Sequence, residues 1–74
     1  MNEIYIQSEY ITLGQFLKYI GKITNGGEAK IAVKMFKIAI NNAPEDRRGR
    51  KIYPGDTVKI EKESYLIKKH NGNQ

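Results

Sequence analysis

Thr12-Leu13-Gly14-Gln15-Phe16-Leu17-Lys18-Tyr19-Ile20-Gly21 spells out a short helix together with both of its ends. Leu13, Phe16, Leu17 and Ile20 recur at the spacing that puts them on one stripe of a 3.6-residue helix. Thr12 followed three positions later by Gln15 is a capping box, and Ile11 is placed to staple onto Phe16 across it. Gly21 supplies the left-handed residue that closes the last turn. So short a helix is not stable alone in water. Its stripe must be covered by other elements, and the rest of the chain has to provide them.

Downstream, Thr24-Asn25-Gly26-Gly27 reads as a turn opening a second helix, with Asn25 or Gly26 as N-cap and Glu28 favourably placed against the helix dipole. From Ala29 to Phe36 the pairs Ile31/Met35 and Ala32/Phe36 predict an apolar face, and Lys30, Lys34 and Lys37 line one edge as a basic ridge. Lys37 to Asn41 predicts a strand with Ile38 and Ile40 inward, followed by Asn41-Asn42 as a tight turn of residues that tolerate positive φ. Residues 43–46 continue as loop. Pro54-Gly55-Asp56 fits a type II turn, Thr57 to Glu61 alternates as a strand, and Ser64 to Lys68 returns as another after a turn near Lys62-Glu63. Upstream, Glu3 to Gln7 suggests an edge strand with Ile4 and Ile6 inward. Phe16 and Phe36 belong to the predicted core. Tyr10, Tyr19 and Tyr53 are expected to be partly exposed, with only Tyr53 beside the basic segment described next. The result is a single α+β domain over residues 1–69, with 70–74 as a polar tail.

The chain has 74 residues, no Cys and a net charge of +5, and Ile, Leu, Val and Phe make up about a quarter of it, enough for a folded core. The positive surplus is concentrated in residues 30–51, which carry seven Lys and Arg against two acidic groups. Four of those cations stand in Arg47-Arg48-Gly49-Arg50-Lys51. A localised basic block suits a polyanion, because Lys and Arg gain by displacing counterions from phosphates. From composition alone a solubility charge is the equal alternative, and the same cations would also serve to dock an acidic protein. Catalysis finds little material: His70 is the lone histidine, and Glu45/Asp46 and Glu61/Glu63 read as solvated surface charges rather than metal ligands. No enzyme activity, metal or cofactor is therefore expected. Gly26-Gly27 at a helix start either contacts one phosphate or simply lets the chain turn tightly. No apolar run is long enough to span a membrane and no leader is visible, so a cytoplasmic protein is expected.

The order of these pieces resembles the S-four RNA-binding domain, or alpha-L motif, in the small free-standing bacterial form of the YaaA type. The resemblance is carried by Thr12 to Lys18, Gly26-Gly27-Glu28-Ala29-Lys30, Ile38-Ala39-Ile40-Asn41, Arg47 to Lys51 and Pro54-Gly55-Asp56-Thr57-Val58, and it covers residues 11–60. It implies two short N-terminal helices packed on a small, mainly antiparallel β-sheet. It also implies binding of structured RNA, ribosomal RNA first and transfer RNA second, on a ribosomal subunit or its precursor. By position the contacts would come from Lys30, Lys34, Asn41, Arg47, Arg48, Arg50 and Lys51, with Gly26 and Gly27 available to a phosphate. Thr12 and Gly26-Gly27 stand where many members carry basic residues, and Asn42 replaces the usual Gly after Asn41. The alternative is a basic module that docks an acidic protein. Duplex DNA ranks behind both, since Lys30, Lys34 and Lys37 suit phosphates better than base edges.

Overall fold

The structure is a computed structural model that describes residues 1–70. Strand β1 (Asn2–Ile6) and the two-residue β2 (Ile11–Thr12) lead into helix α1 (Leu13–Tyr19). A 3₁₀ turn (Gly26–Glu28) then opens helix α2 (Ala29–Met35). Strands β3 (Ile38–Ile40), β4 (Ala43–Pro44), β5 (Lys51–Ile52), β6 (Thr57–Ile60) and β7 (Glu63–Lys69) follow among the described residues. The main sheet has five strands in the order β1-β7-β6-β3-β4, while β2 and β5 form a separate ribbon. All pairings are antiparallel except β1 with β7. The domain is thus α+β and mainly antiparallel. Strands β1 and β2 precede the two helices, which therefore do not begin the fold.

One sheet face is apolar because alternate residues point the same way: Ile38, Ile40, Val58, Ile60, Tyr65 and Ile67 are all buried on it. Leu13, Phe16 and Leu17 of α1 and Ala29, Ala32 and Val33 of α2 cover that face. The Phe16 ring meets Tyr65 edge to face at a centroid distance of 5.2 Å. The ends of α1 are built as its residues require. Gln15 N–H donates to Thr12 Oγ1 (3.2 Å), Thr12 N–H donates to Gln15 Oε1 (2.8 Å), and Gly21 adopts φ +81°. At the start of α2, Glu28 Oε1 accepts from the N–H groups of Thr24 and Asn25 and from the Thr24 hydroxyl. The Thr24 bonds, backbone first, hold the Glu28 carboxyl below its usual range. The helices approach closely at Gly14, where a Cβ would lie 3.1 Å from that of Ala29.

Two local expectations change. Ile31 and Met35 are 63% and 74% exposed, so α2 is rotated to bury Ala29, Ala32 and Val33, with Phe36 half-buried. The close contact at Gly14 is made by Ala29, one of the small side chains on the buried face. Residues 43–44 are a strand rather than loop: Asn41 (φ 51°) and Asn42 (φ 70°) both take the left-handed conformation of a two-residue hairpin turn, which pairs Ile40 with Ala43 and Ala39 with Pro44. Pro44 fits there because β4 is a sheet edge. The expected Pro54-Gly55-Asp56 turn is present, with Gly55 at φ +98° and Asp56 N–H donating to the Tyr53 carbonyl at 2.9 Å. His70 continues past β7, its N–H donating to the Ile6 carbonyl (2.7 Å), and the rest of the predicted tail, 71–74, lies outside the described residues. Among the described residues no helix is long and apolar enough to cross a membrane.

Candidate nucleic-acid interface

A helix begins with several N–H groups that have no partner inside it. In α1 the Thr12 hydroxyl takes one, and the basic segment takes two more through its backbone. Leu13 N–H donates to the Arg50 carbonyl (2.8 Å) and Gly14 N–H donates to the Arg48 carbonyl (2.9 Å). Pairing of β5 with β2 (Ile11 opposite Ile52, Thr12 opposite Lys51) carries the chain away from the same point. The Arg47-to-Arg50 loop is therefore docked on the first turn of α1, with its own turn closed by Arg50 N–H to the Arg47 carbonyl (3.1 Å). Between loop, α1 and the start of α2 runs a shallow groove of about 370 Å³ whose lining includes Gly14, Lys18, Gly26, Ala29, Arg48 and Gly49.

Glu45 organises the loop from within, which overturns its reading as a solvated surface charge. Its side chain is only 8% exposed. Oε2 accepts from Arg47 Nε (2.9 Å) and Arg47 N–H (3.0 Å), and Oε1 accepts from the Arg47 and Arg50 guanidinium groups (3.1 and 3.3 Å). The Arg47 side-chain bond, ahead of the other contacts, lowers the carboxyl from 4.5 to about 2. Because its folded pKa lies below the unfolded one, the stability this group contributes is complete above about pH 4.5 and is lost as pH falls toward 2. An NMR titration should place the Glu45 midpoint near 2, and Arg47→Ala should move it back toward 4.5. A midpoint near 4.5 in the unaltered protein would contradict the loop geometry.

The other expected site residues fall into distinct environments. Lys34 Nζ donates to Asp46 Oδ2 at 2.9 Å, an exposed pair that links α2 to the loop. Such pairs contribute about 0–1 kcal/mol and are readily exchanged. Lys30 and Arg48 are exposed and have no carboxylate partner among the described residues. Gly26 borders the groove, whereas a Cβ on Gly27 would meet Asn25 Oδ1 at 3.2 Å. The side chain of Asn41 is turned to the sheet: Nδ2 donates to Asp56 Oδ1 (3.0 Å) and Oδ1 accepts from Thr57 N–H (2.9 Å), tying its turn to the Pro54-Gly55-Asp56 turn. Lys51 Nζ lies 4.9 Å from the centre of the Tyr10 ring. Lys18 was absent from the sequence-based set but lines the groove, four residues after Gly14 on the same helical face. No group of three metal-ligating side chains occurs among the described residues.

The S4 domain family model matches residues 4–68, and the chain belongs to that family. The chain is also 50% identical over 60 residues to a protein of Bacillus subtilis (strain 168) named "Probable ribosome maturation protein RlbA". That alignment covers 81% of this chain and 84% of the relative.

Proposed function

We propose that the protein is a non-enzymatic binder of structured RNA that acts in the cytoplasm on ribosomal subunits or their precursors during maturation, with ribosomal RNA as its target. The observation that carries this reading is the docking of the arginine loop on the first turn of α1 through the Arg48 and Arg50 carbonyls. It makes the cationic loop part of one surface shared with both helices. Family membership and the name of the Bacillus relative support the same assignment. In this proposal Arg48, Lys30 and Lys18 meet phosphates directly. Lys34 and Lys51 exchange intramolecular partners for phosphates, Arg47 and Arg50 stay paired with Glu45 and offer their remaining guanidinium donors, the open backbone at Gly26 leaves room for a phosphate beside Gly27, and Asn41 sets the turn that precedes β4.

Two measurements test it together. Purified protein should prefer a folded ribosomal RNA fragment to an unstructured oligonucleotide of equal length. Its log K should fall against log salt with a slope of roughly −3 to −5, as for neutralisation of about four to six phosphates. In a lysate it should sediment with ribosomal subunits or precursors and leave them at high salt. Equal affinity for both RNAs, or sedimentation at the top of the gradient in low salt, would reject the proposal and favour an acidic protein partner.

A further inference from the structure

The β2–β5 ribbon has an outer face as well as the inner one that buries Ile52. Its register places Ile11 opposite Ile52 and Thr12 opposite Lys51, so Tyr10 stands across from Tyr53 one step further along. Side chains alternate, and Lys51, Tyr53 and Tyr10 consequently share the outer face. The two rings are 5.6 Å apart at a tilt of 48°, with the Lys51 ammonium 4.9 Å from the Tyr10 centroid. Tyr53 remains 47% exposed. Its backbone is pinned on both sides, its N–H donating to Asp56 Oδ2 (2.8 Å) and its carbonyl accepting from Asp56 N–H (2.9 Å).

These facts describe a half-exposed aromatic ring on a hydrogen-bonded backbone whose strand continues directly from the arginine loop. We infer that the outer face of this ribbon is a stacking site for one unpaired RNA base, with Tyr53 as the platform, Tyr10 as its support and Lys51 as the contact for a neighbouring phosphate. The inference rests on the RNA-binding proposal and refines it: the preferred RNA carries an unpaired nucleotide beside a helical segment. A cross-strand pair that served only to hold the ribbon would not need Tyr53 half in water, because the Asp56 bonds already fix its backbone. Base stacking on aromatic rings tolerates any base, so the site selects for an unpaired position and not for its identity.

The test uses two RNA hairpins that differ by one bulged 2-aminopurine, with binding and fluorescence measured at low salt. The intact protein should bind the bulged hairpin about tenfold more tightly than the fully paired one and quench the fluorophore, as expected for one stacked base. Tyr53→Phe should retain both effects. Tyr53→Leu, which keeps apolar bulk on the ribbon, should lose both while still binding the paired hairpin, with thermal unfolding used to verify that it is folded. Equal affinity of the intact protein for the two hairpins with no quenching, or quenching that survives in Tyr53→Leu, overturns the stacking site. Failure to bind either hairpin would overturn the RNA-binding proposal itself, so the two failures are distinguishable.

Discussion

Simultaneous replacement of Lys18, Lys30 and Arg48 by glutamate is expected to weaken binding of a folded ribosomal RNA fragment by at least about 100-fold at physiological salt. Each cation that neutralises a phosphate contributes about 0.9 to the salt slope, so losing three should reduce that slope by roughly 2.7. At an ionic strength of about 0.15 M the lost counterion release alone amounts to a factor of order 100, and three new negative charges add repulsion. The choice of residues follows from the structure: none of the three is paired to a carboxylate among the described residues, so their replacement leaves the loop assembled. Arg47 and Arg50 are poorer probes, since removing both strands the Glu45 carboxylate, 8% exposed, without a cation. Unchanged thermal unfolding with an unchanged dissociation constant would remove the groove from the proposed interface.

The second large effect concerns the scaffold. Leu17→Ala and Ile40→Ala should each cost roughly 2 to 5 kcal/mol of stability, as expected for truncating a fully packed aliphatic side chain. Leu17 is 0% exposed and Ile40 1%, one from α1 and one from β3, so each cavity opens between the helices and the sheet. Domains of this class have about 5 to 15 kcal/mol in total. Either variant should therefore unfold at a much lower urea concentration than the unaltered protein. A loss below about 0.5 kcal/mol would be typical of a surface position and would contradict the assigned packing.

What the sequence made legible was what the backbone enforces locally. The Thr12/Gln15 box, Gly21, Asn41-Asn42 and Pro54-Gly55-Asp56 each restrict a few dihedrals, and each appears where expected. The rotation of α2 was not legible. Ile31 and Met35 are as apolar as the residues that are buried, and which face turns inward is set by tertiary packing such as the Gly14–Ala29 approach, which periodicity does not encode. For the candidate site, the cationic loop could be read directly, but its organisation could not. The Glu45 side chain is screened from water where Arg47 and Arg50 fold back onto its carboxylate, an arrangement that the local sequence does not announce. The Tyr10–Tyr53 pair was hidden for a different reason: strands of two residues have no periodicity, and only their register reveals what stands opposite what.

The single parallel pairing, β1 with β7, also sets an order of assembly. Asn2 lies opposite Tyr65 and Ile6 opposite Lys69, at the two far ends of the described chain, and β7 lies between β1 and β6. During synthesis on a ribosome the N-terminal strand therefore waits without its partner until nearly the whole described chain has emerged. Bringing these distant segments together incurs a loop-closure entropy that grows only with the logarithm of length, but it must be met before the pairing yields any stabilisation. By contrast, the ribbon, both helices and the arginine loop come from one continuous stretch, residues 11–52. The loop and the helix it docks on are therefore both made before β7, whereas β1 has no strand to pair with until β7 has been made.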